Sequence, residues 1–484
     1  MIRWLLRLFV FVLLVVGVYH VWKPLPTGLS IVDSVHMIPD SAVHFFSDVT
    51  FVDARGERHS EQGIFDEVFR MIRTAENYII LDMFLVNDFQ GKVAYDVRPL
   101  SRELVDALIQ RKKEIPALAV TFITDPVNSV YGGDPSELFS RLHSGGISVI
   151  ETNLKPLRDS NPIYSSLWRL IIQWFGNAST GGHVPHPFSS LRQDVTLRSY
   201  LSLLNFKANH RKLIVADGYD DAGLPVLSTL ITSANPHDGS SAHTNVALRV
   251  DDYSFSHDVI MSEQAVAHFS GTVLSDYEND VSRDEGGVVS VQLLTEGAIR
   301  EQLLALFDSA QSGDPIDIHM FYLSERSLVE ALLRAADRGA LIRLLLDPNK
   351  DAFGREKNGI PNRPIAAELR EKSKGTISIR WCDTHGEQCH SKLILARIGD
   401  VYHMMLGSAN ITRRNIGNYN LETDVYVIGD RTTTAILDAR AYFERVWNNE
   451  EEKSYSADYS VYAENNFLKK VLYRVQEFSG LSSF

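Results

Sequence analysis

Cysteine is nearly missing from this chain: Cys382 and Cys389 are the two in 484 residues. They bracket the stretch Cys382-Asp383-Thr384-His385-Gly386-Glu387-Gln388-Cys389-His390. Its spacing fits no standard zinc pattern, and free thiols or a loop-closing bridge remain, the latter in an oxidising compartment. Long basic runs are also missing. With 48 Lys and Arg against 61 Asp and Glu, the formal charge is −13. Neutralising phosphates supplies most of a nucleic-acid binder's affinity, so this balance argues against a nucleic-acid partner, although a local basic groove remains open. The 44% hydrophobic and 23% charged content is that of an ordinary globular protein, long enough for two or three domains with large cores.

One uncharged run stands out, from Leu8 to Trp22. Counted from Trp4, it is about long enough to cross a bilayer, which takes about 20 residues. Arg3 and Arg7 precede it and Lys23 follows, so the positive-inside rule places the N-terminus in the cytoplasm. Trp4, Tyr19 and Trp22 suit the interfacial belts. No small-x-small cleavage site is evident, which favours an uncleaved transmembrane anchor over residues 1–28 rather than a removed signal peptide. A buried helix of the globular part is the alternative. An anchor in this orientation puts the rest of the chain on the extracytoplasmic side, periplasmic or outer face.

Two segments repeat one arrangement. His210-Arg211-Lys212-Leu213-Ile214-Val215-Ala216 is answered by His390-Ser391-Lys392-Leu393-Ile394-Leu395-Ala396. Each is followed, after a second hydrophobic run, by Ser-Ala-Asn, at Ser233 to Asn235 and at Ser408 to Asn410. In a strand, residues i and i+2 share a face, so each His projects beside its Lys while Arg211 or Ser391 turns away. Alone, either copy reads as a strand edge with a solvated Lys. Together, two imidazoles and two ammonium groups make a site for attack on a phosphodiester.

The pattern His-x-Lys, four residues, Asp, then Gly-Ser-x-Asn resembles the phospholipase D superfamily, whose members pair two such motifs. His210, Lys212 and Asp217 carry the first copy; His390, Lys392, Gly407, Ser408 and Asn410 carry the second. Asn420-Leu421-Glu422 looks like the family's downstream carboxylate, which orients a catalytic histidine. The sequence departs from the pattern at Arg397, where the second motif has Asp, and at Thr232, in place of Gly. Ala247 occupies the position where the first copy would match Glu422.

The duplication extends further. Glu67–Ile72 and the strand-like 78–84 are answered by Gln302–Phe307 and 316–321; Leu104–Leu108 by Leu328–Leu332; and Phe122-Ile123-Thr124-Asp125-Pro126 by Leu344-Leu345-Leu346-Asp347-Pro348. Strands alternating with helices predict an α/β fold in two duplicated halves, each a mixed sheet flanked by helices, with the active site at their interface. The halves are read as 40–283 and 284–450, divided at the charged, glycine-paired stretch Asp276–Gly287, with a C-terminal helical tail over 451–484. An insert, 157–198, has no counterpart in the second half. Its Trp168, Arg169 and Trp174 suit either a membrane interface or a helix packed on the body. The run Phe467–Phe478, with Leu468, Val471, Leu472 and Val475 against Lys469, Lys470 and Arg474, reads as a solvated terminal helix packed on the body.

The resemblance implies a two-step transfer through a covalent phosphohistidine. His210 attacks phosphorus, while His390 protonates the leaving alcohol and then deprotonates water or another alcohol. Lys212, Lys392, Asn235 and Asn410 would surround the non-bridging oxygens, a task often given to metal ions, so no metal or cofactor is expected. Glu422 would fix an imidazole's tautomer, Asp217 would be a structural support, and Ser233 and Ser408 turn or secondary phosphate-contact groups. The leading expectation is a phosphodiesterase or phosphatidyltransferase acting on glycerophospholipid head groups, with membrane phospholipid as partner, by hydrolysis or by transfer as in cardiolipin synthesis. A membrane-tethered, metal-independent nuclease and a non-catalytic lipid-binding module are the alternatives.

Overall fold

The computed structural model describes residues 1–32, 34–89, 97–277, 286–352 and 355–482. The junction read between 283 and 284 lies outside the described residues.

Hydrophobic runs build two mixed sheets of matching plan. The first orders its strands Arg58–Glu61, Val43–Val52, Asn245–Asp251, Pro225–Thr232, Lys212–Tyr219, Tyr78–Met83, Ala119–Thr124 and Ser148–Glu151. The second runs Val35–Ile38, Val289–Thr295, Thr423–Gly429, Val401–Gly407, Lys392–Ile398, Pro315–Met320, Leu341–Leu346, Ser378–Cys382 and Ser456–Asp458. In both, the strand carrying the lysine lies antiparallel to the next central strand, which begins a parallel trio. The strand Val35–Ile38 precedes the first sheet in sequence yet pairs with Val289–Thr295 in the second.

Central strands buried on both faces are mostly apolar, and Tyr78–Met83 is buried throughout, Asp82 included. Successive residues then serve different cores. Leu213 and Val215 meet Leu393 and Leu395 in a core shared by the two sheets. Ile214 and Ala216 pack under the helices Ile64–Thr74 and Leu100–Glu114. Ile394 and Ala396 do the same beneath Gly297–Ser309 and Arg326–Asp337. The sheets are thus sandwiched face to face, with helices outside.

The helix Ile2–Trp22 keeps nearly all its side chains exposed. Its buried residue is Gly17, where a Cβ would meet Ser166 Oγ at 2.8 Å, so the helix and the insert approach closely only because no side chain intervenes. Within the insert, the α-helix Pro162–Leu167 widens into a π-turn over Trp168–Ile172. Trp168 and Arg169 are buried there, and Arg169 Nε donates to Asp159 at 2.6 Å. Of the two readings left open for the insert, these two residues take the packed one, whereas Trp174 is exposed.

The C-terminal helix Phe467–Ser479 packs on the body through its polar side. Arg474 Nη2 donates to Glu368 at 2.9 Å and Lys470 pairs with Glu371, while the apolar side chains point outward.

Candidate active site

Each His-x-Lys segment sits where a loop enters a central strand, and the opposite half holds it there. The His210 N–H donates to Leu421 O at 2.9 Å, and the Leu421 N–H returns a bond to Ala208 O. Correspondingly, the His390 N–H donates to Thr244 O at 2.8 Å, and the Thr244 N–H donates to Gln388 O. These exchanges carry the two motifs across the seam between the sheets. His210, His390, Asn235 and Asn410 consequently line a single cavity of about 460 Å³.

The ammonium groups lie behind the imidazoles. Lys212 Nζ donates to His210 O at 2.6 Å, and Lys392 Nζ to His390 O at 2.7 Å. Both lysines are fully buried. Phe84 and Phe321 complete the symmetry: their rings lie 4.7 and 4.8 Å from the two imidazoles and 5.0 and 5.2 Å from the two ammonium nitrogens. Asp125 and Asp347 anchor the backbone just before each histidine, accepting from Asn209 N and Cys389 N at 2.7 Å. These four residues were missed in the sequence, although the paired Met-Phe and Asp-Pro steps signalled them.

The imidazole partners differ. His210 Nδ1 is 2.9 Å from Glu422 Oε2. Ser408 Oγ and Asn415 Nδ2 also donate to that carboxylate. His390 Nδ1 instead lies 3.0 Å from Ser233 O and 3.2 Å from Asn245 Oδ1. A carbonyl only accepts, so Nδ1 carries the proton and Nε2 is left with its lone pair. Asn245 is therefore the counterpart of Glu422, and the assignment of that place to Ala247 is corrected. Strand register explains why: Ala247 pairs with Thr232, as Asp424 pairs with Gly407, so Ala247 corresponds to Asp424.

The remaining residues have fixed surroundings. Ser233 Oγ donates to Asn245 Oδ1, and both Ser233 and Ser408 accept the N–H of the next strand, from Val246 and Thr423. Their hydroxyls are thus committed to buckling loop to strand. The Asp217 carboxylate accepts three backbone N–H groups, from Glu76, Asn77 and Tyr78, five residues along the strand from Lys212. Asn235 Oδ1 accepts from Leu85 N, whereas Asn410 Oδ1 is buried without a hydrogen-bond partner among the described residues. Arg211 turns inward to Glu263 and Glu296 at 2.8 and 2.7 Å. The Cys382 and Cys389 sulfurs are bonded to each other and are not available to a metal.

Burial dominates the electrostatics. It lowers His210 to about 4 against the opposing pull of Glu422, and lowers Lys212 to about 7. His390 is also held well below its ordinary value, first by burial and then by the Lys392, His243 and Lys212 charges around it. Glu422 is held below its ordinary value: burial pushes it up, but His210, Lys212 and Ser408 together outweigh that push. The free site therefore pairs a neutral His210 with an ionised Glu422. It also concentrates positive potential around His390, which an arriving phosphate anion would relieve.

Residues 303–447 match a family described as cardiolipin synthase, PLD-like domain. No curated protein sequence matches the chain. Among solved structures, phosphatidylserine synthase of Haemophilus influenzae Rd KW20 superposes with a TM-score of 0.54 at 11% identity, over 92% of this chain and 95% of that one. Polyphosphate kinase from Porphyromonas gingivalis aligns at 14% identity over 89% of this chain and 52% of its own, with a TM-score of 0.47. A phospholipase D family member, Nuc from Salmonella typhimurium, aligns at 20% identity over 35% of this chain and 99% of its own, with a TM-score of 0.26. The first of these shows a shared fold: mixed sheets flanked by helices, in the phospholipase D-like arrangement.

Proposed function

We propose that this phospholipase D-like chain transfers the phosphatidyl group of a glycerophospholipid to water or another alcohol through a phosphohistidine. The observation that carries the reading is the pair of imidazoles at one cavity, each with Nδ1–H tied to the opposite half and Nε2 left open.

The unequal partners support a division of labour. When His210 Nε2 attacks phosphorus, its ring becomes a phosphoimidazolium cation, and the buried Glu422 carboxylate is placed to stabilise that charge. His390 has only neutral acceptors on Nδ1, so its imidazolium is a readier proton donor. In the first step the Nε2–P bond forms, the bond from phosphorus to the head-group oxygen breaks, and that oxygen takes the proton from His390. In the second, His390 removes a proton from water or an alcohol, whose oxygen displaces His210. Lys212 and Lys392, behind the imidazoles, stabilise the phosphoryl charge through both steps, the arriving anion favouring their protonated forms.

The cavity walls favour lipid over nucleic acid. Val127, Tyr131, Phe188, Leu203 and Phe206 present apolar surface beside the histidines, as a diacylglycerol portion would require. The N-terminal helix, read as a span with its N-terminus cytoplasmic, would hold the site beside its substrate on the extracytoplasmic side.

Purified full-length protein is incubated with phosphatidylglycerol and phosphatidylcholine vesicles, with and without added glycerol, and products are followed by mass spectrometry. Head-group release or exchange is expected. Protein that turns over another phosphodiester, single-stranded DNA included, but no glycerophospholipid rejects the reading.

A further inference from the structure

The C-terminal helix Phe467–Ser479 is built inside out. At 3.6 residues per turn, Phe467, Leu468, Val471, Leu472, Val475 and Phe478 fall on one side. Helices of soluble domains turn such a stripe to the core. Here it faces away: Phe467 is 74% exposed and Phe478 86%, and the least exposed of the six is still 43% exposed. The body is gripped by the other side. The Tyr473 hydroxyl donates to Glu368 at 2.9 Å, and Glu477 accepts from Ser324 Oγ and Arg413 N, both at 2.8 Å. A continuous apolar face of this size marks an interaction surface.

Its position identifies what covers it. Gly480, which ends the helix, packs on Ser160 O so closely that a Cβ would lie 2.1 Å from that oxygen. One residue earlier, the Asp159 N–H donates to His20 O at 3.0 Å, and Arg158 Nε donates to Lys23 O at 2.7 Å. The end of the C-terminal helix is thus fastened beside the point where the N-terminal helix would leave the bilayer. The same insert exposes Ile171, Trp174 and Phe175. Thirteen residues make about 20 Å of helix, too short to cross a bilayer but suited to lying along its surface.

We propose that the outward face of Phe467–Ser479 is seated in the interfacial layer of the membrane that the N-terminal helix spans, and this rests on reading that helix as a span. Arg414 connects the surface to the chemistry, since it lines the cavity while its Nη2 donates to Gly480 O at 3.2 Å. The docked helix holds that rim of the active site against the lipid.

The test uses the full chain in nanodiscs of phosphatidylcholine and phosphatidylglycerol, one copy per disc, so that pairing with a second copy cannot cover the helix. An environment-sensitive NBD label is placed at Leu472→Cys or Phe478→Cys, the native cysteines being bonded to each other. Leu14→Cys, within the N-terminal helix, reports the span, and Glu57→Cys, on an exposed turn, reports water. Nitroxide-bearing lipid should quench the 472, 478 and 14 labels at least twofold and spare the label at 57, while aqueous iodide should do the reverse. Iodide quenching at 472 and 478 like that at 57 would overturn the proposal, as would protection there from both quenchers, which would indicate cover by protein. A label at 14 untouched by nitroxide lipid would remove the span and the docking with it. None of these readouts depends on turnover, so the outcome is separate from that of the lipid assay.

Discussion

Replacing Glu422 with glutamine removes one buried charge and leaves the shape of the site intact. The His210 Nδ1 to Glu422 Oε2 separation of 2.9 Å places the two charge centres about 4 Å apart once His210 carries phosphorus. At an effective dielectric of about 20, that pair is worth about 4 kcal/mol. A neutral hydrogen bond to an amide oxygen retains about 1 kcal/mol. The difference, about 3 kcal/mol, corresponds to about a hundredfold slower phosphorylation of His210. A second effect acts in the same direction. Ser408, Asn415 and His210 all donate to this carboxylate, and an amide offers a single oxygen to the three. Glu422 is wholly buried and absent from the cavity wall, so KM should stay near its wild-type value. Single-turnover kinetics with a chromogenic phosphodiester measure the step directly. A Glu422→Gln rate within threefold of wild type, from protein with an unchanged melting curve, refutes the assigned role.

Three further outcomes follow from the geometry. Lys392→Ala should cost kcat about 10² to 10³-fold, as deletion of a preorganised oxyanion donor does, and near-normal turnover would place Lys392 outside the chemistry. In the ligand-free protein His210 should remain neutral as pH falls through 6.5 and bind its proton only near pH 4. The unfolded chain takes up that proton first, so the stability this histidine permits above pH 6.5 is lost progressively toward pH 4; histidine NMR reads the midpoint, and one at or above 6.5 contradicts the account. Asp159→Asn should destabilise the fold by about 3 to 5 kcal/mol, because Arg169 and Lys207, 2.6 and 2.5 Å from Asp159, are left as unbalanced buried charges. Denaturant unfolding that shifts by less than about 1 kcal/mol argues against it.

The paired-histidine arrangement is legible in the sequence because it is local. His-x-Lys fixes two side chains within three residues, and the recurrence of the same unit 180 positions later pointed to one site built from two copies. What a residue meets across the seam was harder to read. Twelve positions separate Asn410 from Glu422, but ten separate Asn235 from Asn245. Counting along the chain therefore landed on Ala247, and only the strand register shows the shorter loop. The same difficulty hid Asp125 and Asp347, whose task is to hold backbone 84 and 42 residues away. Periodicity identified the amphipathic helix at Phe467 but not which side it buries, since a stripe of apolar residues looks the same whether it meets a core or a bilayer. The insert divides in the same way: Arg169 is drawn inward by Asp159, a partner ten residues upstream, while Trp174 remains outside.

The most direct test of the two-histidine account is to trap the intermediate. Full-length protein is mixed with a phosphodiester substrate, quenched within one turnover at alkaline pH, where phosphohistidine survives, and its peptides are sequenced by mass spectrometry. The account predicts the phosphoryl adduct on His210 and none in His210→Ala; with a nitrophenyl diester, whose leaving group needs no proton, His390→Ala should retain more of it because the second step lacks its base. An adduct on His390, or turnover that persists in His210→Ala, would contradict it.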